Sequence, residues 1–185
     1  MFVIPKITEQ EAKNIFSKKK RFYLSKLKKK SPSVERVELV SLPFYLFDVV
    51  VQEEGKGRYN KKPLTQNVVL SVDGLLGHTV FYVKDDLDFG SGTKSAVCRF
   101  ELTPAEAEKV VLSEYRSFLL EHGLRTRSTL QAEKISEAMK IFYPFWVGYF
   151  TKRRRYDFIV LDAVSGEIQG IKMRKVFLKA FRLMT

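Results

Sequence analysis

Cysteine and histidine are nearly absent from this chain of 185 residues. Cys98 is the single cysteine, which excludes a disulfide within the chain and a thiolate metal cluster. The two histidines, His78 and His122, are separated by 44 positions, so a zinc site would need scattered carboxylates to complete it. The scarcity of these ligands predicts no metal and no other cofactor. It also favours Cys98 as a buried small hydrophobe.

Catalytic motifs and long hydrophobic runs are missing as well. The sequence has no G-x-S-x-G elbow, no H-E-x-x-H and no phosphate-binding G-x-x-x-x-G-K-[ST] motif. Cys98 as a nucleophile with His78 or His122 as its base remains possible in principle, because these groups need only be close in the folded structure. No run approaches the length of a bilayer span, and the apolar start of the chain is too short for a signal peptide. These absences predict a non-enzymatic protein of the cytoplasm.

Positive charge is present in excess. Lys and Arg number 33 against 21 Asp and Glu, which gives a formal net charge of +12 and a pI near 9.7. Such an excess favours anionic partners, namely nucleic acid, acidic lipid surfaces or acidic faces of proteins. The alternative is a solvated cationic surface that keeps the protein soluble. Hydrophobic residues make up 45%, which is enough to fill a core.

Three local patterns occur twice in the same order, which indicates an internal repeat. Thr8 and Thr103 each precede a helical segment with a glutamate three residues later, and this spacing predicts a capping box at both helix starts. The other two patterns are a Pro-Phe strand start and an Asp-to-Gly turn. They lie at Pro43, Pro144, Asp73–Gly77 and Asp162–Gly166.

The repeat predicts an α+β fold of two tandem copies, each a helix packed on an antiparallel β-sheet. Residues 1–84 form the first copy, residues 85–100 a linker with a connecting strand, and residues 101–185 the second copy. The alternative is one larger α+β domain that uses good caps and turns more than once.

Several elements can be placed within this frame. The first helix is expected over residues 9–29, and the polar stretch 53–60 is expected to be a hairpin loop. Gly123 is predicted to cap the second helix. The apolar period of residues 128–141 predicts a further helix, inserted into the second copy.

The order of these patterns resembles the PepSY-type domain of the cystatin-like α+β group. The second copy matches best, at Thr103, Glu106, Ala107, Tyr156, Leu161, Asp162, Ala163, Ser165, Gly166, Glu167 and Ile168. The first copy keeps Thr8, Glu11, Ala12, Asp73 and Gly77, but it has Gly74 in place of alanine and His78 in place of glutamate. The resemblance implies a binding or peptidase-inhibiting module without catalytic residues. PepSY-type domains are generally exported or attached to membranes, a setting that the expected cytoplasmic location does not share.

Basic runs and clustered aromatic residues are the candidate binding sites. The basic residues predicted to bind an anion are Lys18, Lys19, Lys20, Arg21, Lys152, Arg153, Arg154 and Arg155. The aromatic residues predicted to contact a partner are Tyr45, Trp146 and Tyr149. Further cations crowd the end of the sequence at Lys172, Arg174, Lys175, Lys179 and Arg182. Plain solvation of the charges and core packing of the rings are the competing interpretations.

The leading hypothesis from the sequence is a non-enzymatic interaction module, monomeric or homo-oligomeric. Its sheet and basic helix surfaces would face a protein or peptide partner. The alternative is a binder of nucleic acid or of an acidic membrane surface through the basic runs.

Overall fold

A computed structural model describes residues 1–24, 34–55, 64–82, 87–91, 95–126, 128–152 and 155–184. Helices and a mixed, mainly antiparallel sheet confirm the α+β class within these ranges. The elements are β1 (Phe2–Val3), α1 (Glu9–Leu24), β2 (Arg36–Gly55), β3 (Leu64–Asp73), β4 (Thr79–Tyr82), β5 (Phe89–Gly90), β6 (Ala96–Val97), α2 (Pro104–Thr126), β7 (Ser128–Ile135), β8 (Met139–Lys152), β9 (Arg155–Asp162) and α3 (Ile171–Met184).

The chain forms two compact units from interleaved segments. Unit 1 consists of Met1–Leu42, Leu87–Arg99 and Phe142–Thr185, and unit 2 of Pro43–Asp86 and Phe100–Ile141. The predicted copies are consecutive in the sequence, whereas each compact unit contains segments from both halves of the chain. Each unit therefore combines a helix from one half with a hairpin from the other.

Unit 1 is built around the β8–β9 hairpin, whose register runs from Phe145 opposite Asp162 to Lys152 opposite Arg155. β8 lies between β1 and β2, β1 pairs with β5, and β6 pairs in parallel with the first part of β2. α1 packs its buried Ala12 and Phe16 against one face of the hairpin. α3 packs on the other face, where Phe177 meets Phe145 edge-on with ring centroids 5.4 Å apart. Alternation of side chains along the strands is what separates the two faces.

Unit 2 is built around the β2–β3 hairpin, with strand order β4-β3-β2-β7. β2 and β3 pair from Phe44 opposite Asp73 to Glu53 opposite Leu64. α2 covers one face of this hairpin. The core that results consists of Tyr45, Phe47, Val49, Leu70, Val72, Ala107, Val111 and Tyr115.

The predicted capping boxes are confirmed at the start of α1 and of α2. Glu11 accepts hydrogen bonds from the Thr8 hydroxyl and backbone N–H, both at 2.8 Å. Glu106 accepts the same two bonds from Thr103, at 2.8 and 2.7 Å. These bonds lower the pKa of both glutamates, because they stabilise the charged carboxylate.

The predicted Asp-to-Gly turns are also confirmed. Oδ1 of Asp73 accepts the backbone N–H groups of the two residues after Gly74, and Oδ1 of Asp162 does the same after Ala163. Gly77 and Gly166 close the turns with φ of 76° and 75°, a conformation that favours glycine.

Four sequence-based predictions about the elements need correction or completion. Residues 128–135 form strand β7 and not a helix, because they pair with Val49–Gly55 of β2, whose backbone groups need partners along that edge. Gly123 lies inside α2, which continues to Thr126, so it is not the C-cap. β2 extends through Gly55, so residues 53–55 belong to the strand and not to a loop. The predicted end of the first helix at residue 29 lies outside the described residues.

Candidate functional site

Positive charge is concentrated in unit 1. The segments of unit 1 contain 22 Lys and Arg against 8 Asp and Glu, whereas those of unit 2 contain 11 against 13. The formal net charge is therefore +14 for unit 1 and −2 for unit 2, which together give the +12 of the chain. One of the two units carries the whole excess.

The acidic side chains of unit 1 are largely engaged within the unit. Glu9, Asp88, Glu38 and Asp157 form ion pairs with Lys13, Lys6, Arg36 and Arg174, respectively. Three others accept hydrogen bonds: Glu11 from Thr8, Glu35 from the Thr151 N–H and Asp162 from the Tyr143 hydroxyl. Because the unit has 22 cationic and 8 acidic residues, pairing of every carboxylate would still leave a large positive excess.

α1 runs toward the tip of the β8–β9 hairpin. Its start is fixed by the indole of Trp146, whose Nε1 donates to the Ile7 carbonyl oxygen at 2.8 Å. Further along, the Phe16 ring lies over Gly148, where a Cβ atom would meet it at 3.0 Å. Gly148 is two residues nearer to the hairpin tip than Trp146. The remaining turns of α1, up to Leu24, continue in that direction.

The chain returns to the sheet beside the same tip. The Glu35 N–H donates to the Tyr149 carbonyl oxygen at 2.8 Å, and the Glu35 carboxylate accepts the Thr151 N–H at 3.1 Å. The C-terminal end of α1 and the tip of the hairpin thus lie at the same end of unit 1. Of the predicted anion-binding residues, Lys18 on α1 and Arg155 on β9 are exposed on these two elements.

The remaining predicted cations are placed only in part. Lys19, Lys20 and Arg21 belong to α1, and Lys152 is the last residue of β8, but the side chains of these four are outside the described part of the structure. Arg153 and Arg154 lie between the two strands, also outside the described residues.

Two of the three predicted partner-contact aromatics are core residues. Tyr45 is 0% exposed and Trp146 9%. The Tyr45 hydroxyl donates to the Leu102 carbonyl oxygen at 2.7 Å, as the Trp146 indole does to Ile7. Burial and the internal bond at the polar tip leave neither ring a surface for a partner, which corrects the prediction for both.

Tyr149, the third of these residues, is half-buried on the face of unit 1 that α3 covers. Its ring lies 6.1 Å from that of Phe181, and the Arg36 guanidinium lies 5.9 Å from its centroid. Burial, with a further contribution from the nearby Glu38 carboxylate, raises the pKa of Tyr149 to about 12.

Sequence reasoning missed helix α3 and did not assign the exposed Tyr156 to a binding surface. α3 buries Met173, Val176, Phe177 and Ala180, spaced as one helical face, and this period was the signal that could have identified it. The cations of this segment were recognised, but their arrangement on a helix was not. Tyr156 is 87% exposed on β9 and carries no signal that separates it from the buried aromatics of the neighbouring strands.

The outward face of α3 combines aliphatic and basic side chains. Ile171, Lys175, Leu178 and Arg182 follow one line along the helix, and Lys172 is exposed beside them. Arg174 points elsewhere, because its guanidinium binds the Asp157 carboxylate and the Phe158 carbonyl oxygen.

The described residues hold no group of three His, Cys, Asp or Glu placed to bind a metal ion. In the same part of the chain, none of the helices combines the length and the apolar composition of a membrane span. Cys98 is buried, at 1% exposure. Comparison of the chain with family models, with curated proteins and with solved structures finds no match.

Proposed function

We propose that this protein is a non-enzymatic binding module and that unit 1 binds an anionic partner. The observation that carries the proposal is the distribution of charge, +14 on unit 1 against −2 on unit 2. A surface that merely keeps the protein soluble has no need to collect its cations on one of two units. An anionic partner is attracted by such a field, which raises the rate of association and the affinity.

The geometry of the hairpin end supports the same proposal. α1 and the β8–β9 hairpin extend toward one end of unit 1, and each carries an exposed cation, Lys18 and Arg155. Several cations close together can neutralise neighbouring phosphates or carboxylates of one partner. An acidic face of a protein has the same chemistry, so the protein or peptide partner suggested by the sequence is retained as an acidic one. A location in the cytoplasm is part of this proposal.

We further propose that the two units derive from tandem copies of one PepSY-like, cystatin-like motif. The matched capping boxes, the matched turns and a matched pair of hydrogen bonds from aromatic side chains support this duplication. The Tyr45 hydroxyl and the Trp146 indole each donate to the carbonyl oxygen of the residue before the capping threonine, at 2.7 and 2.8 Å. In both cases the helix comes from one copy and the hairpin from the other, as in an exchange of segments within one chain.

Retention on heparin tests the proposed function. The variant Lys18→Glu/Arg155→Glu should elute at markedly lower salt than the unchanged protein. The control Lys109→Glu/Lys140→Glu makes the same change of charge at exposed positions of unit 2 and should elute close to the unchanged protein. Equal shifts for the two variants, or no retention of the unchanged protein at low salt, would refute the proposal.

A further inference from the structure

Helix α3 presents a continuous outward face that none of the contacts described above uses. Ile171 is 78% exposed and Leu178 44%, and they are separated by two helical turns on the same side. Lys175 lies between them and Arg182 one turn beyond Leu178, while Met173 and Ala180 are buried on the opposite side. The face therefore alternates aliphatic and cationic side chains along its length.

The charge of α3 has one sign. Its 14 residues include five cations, namely Lys172, Arg174, Lys175, Lys179 and Arg182, and no acidic residue. The Asp157 carboxylate on the adjoining strand is engaged by Arg174 at 2.5 Å. The exposed Lys172 and Lys175 are therefore offered to an anion on a helix that carries no carboxylate.

We propose that the outward face of α3 docks on the surface of an anionic lipid bilayer. This inference rests on the proposed function, and it names the partner. A basic helix with exposed aliphatic side chains suits a bilayer interface, where the cations meet acidic headgroups and the aliphatic groups enter the boundary with the acyl chains. The phosphate backbone of a nucleic acid would engage the cations alone and leave Ile171 and Leu178 in water.

The exposed ring of Tyr156 adds to this surface. It lies on β9 two residues before Phe158, so strand alternation places both rings on the face that α3 covers. Phe158 packs under Arg174, whose guanidinium lies 4.3 Å from the ring centroid, whereas Tyr156 remains 87% exposed. Tyrosine is favoured at membrane interfaces, because its ring is apolar and its hydroxyl is hydrated.

Co-sedimentation with lipid vesicles tests the docking, with phosphatidylcholine vesicles that contain or lack phosphatidylserine. The unchanged protein should pellet only with the acidic vesicles, and less as salt is raised. Lys172→Glu/Lys175→Glu should weaken binding by at least about 25-fold, at roughly fivefold for each cation lost. Ile171→Ser/Leu178→Ser should weaken it about tenfold through lost apolar burial.

Matched controls lie in unit 2. Lys109→Glu makes the same charge change on the exposed side of α2, and Leu76→Ser removes a leucine that is 41% exposed. Both should bind vesicles as the unchanged protein does. Thermal unfolding of every variant verifies that the fold is retained, as expected for exposed positions.

The outcomes separate this inference from the proposed function. Retention on heparin without pelleting on acidic vesicles would overturn the lipid inference and leave the proposed function standing. If the unchanged protein neither binds heparin nor pellets with acidic vesicles, the inference and the proposed function both fail. The inference also fails if Ile171→Ser/Leu178→Ser binds vesicles normally, or if it weakens binding to duplex DNA as much as binding to vesicles. The inference is supported if the unchanged protein pellets with acidic vesicles and Ile171→Ser/Leu178→Ser loses that binding while it keeps its retention on heparin.

Discussion

Replacing Tyr149 with phenylalanine is expected to remove part of the loss of stability that this protein suffers at alkaline pH. The ring is half-buried in unit 1, where it lies beside Phe181 and near the Glu38 carboxylate. Burial raises the pKa of its hydroxyl to about 12, because the phenolate would have to form in a poorly hydrated place near a carboxylate. Phenylalanine keeps the ring packing and removes the titrating group.

The sign of the effect follows from the direction of the shift. A pKa that is higher in the folded than in the unfolded protein adds stability at pH values below about 10, the value of the unfolded tyrosine. That contribution is lost as the pH rises from about 10 to about 12. At about pH 11 the loss is on the order of 1 kcal/mol, after allowance for solvent screening of a half-buried group.

Urea unfolding near pH 8 and near pH 11 measures this difference. Near pH 8 Tyr149→Phe should be close in stability to the unchanged protein, because the ring packing is kept and the hydroxyl is not ionised in either state. Near pH 11 the variant should be the more stable of the two by about 1 kcal/mol. The control Tyr156→Phe makes the same chemical change on a ring that is 87% exposed, and it should not alter the pH dependence. A stability difference between Tyr149→Phe and the unchanged protein that is equal at both pH values would refute the reasoning.

Three further predictions concern contacts that fix the helices and turns, all measured by urea unfolding at neutral pH. Tyr45→Phe should cost about 1 kcal/mol, because the Leu102 carbonyl loses its 2.7 Å donor, and an unchanged midpoint would argue against that bond. Gly166→Ala should cost about 1–2 kcal/mol because φ is 75°, whereas Gly170→Ala, with nothing within 4 Å, should be close to neutral; similar costs for both would contradict this account. Gly148→Ala should cost roughly 1–3 kcal/mol because its Cβ would lie 3.0 Å from a ring of α1, so a neutral result would show that α1 adjusts freely.

The candidate site was predictable from the sequence in part. Lys18 and Arg155 were identified from the basic runs, and both are exposed. Tyr45 and Trp146 were assigned to a partner surface, although both are buried and bound at their polar tips. A ring with a polar tip suits a core and an interface equally well, so composition cannot decide between them.

The charge distribution needed the structure. The excess of +12 was evident from composition, but its confinement to unit 1 depends on which segments assemble together. The basic runs before residue 42 and after residue 142 are far apart in sequence and belong to the same unit. Their assembly is a property of long-range packing, which local patterns do not contain.

Local sequence patterns were sufficient to predict the helix caps and the tight turns of this fold. The capping boxes at Thr8 and Thr103 and the turns after Asp73 and Asp162 involve groups within five residues of one another, so local spacing suffices to predict them. Long-range packing determines that residues 128–135 pair with β2 as a strand, and that α1 and α2 each pack on the hairpin from the other half of the chain. These choices depend on which edges and apolar faces meet across many residues of chain, and burial there outweighs local propensity.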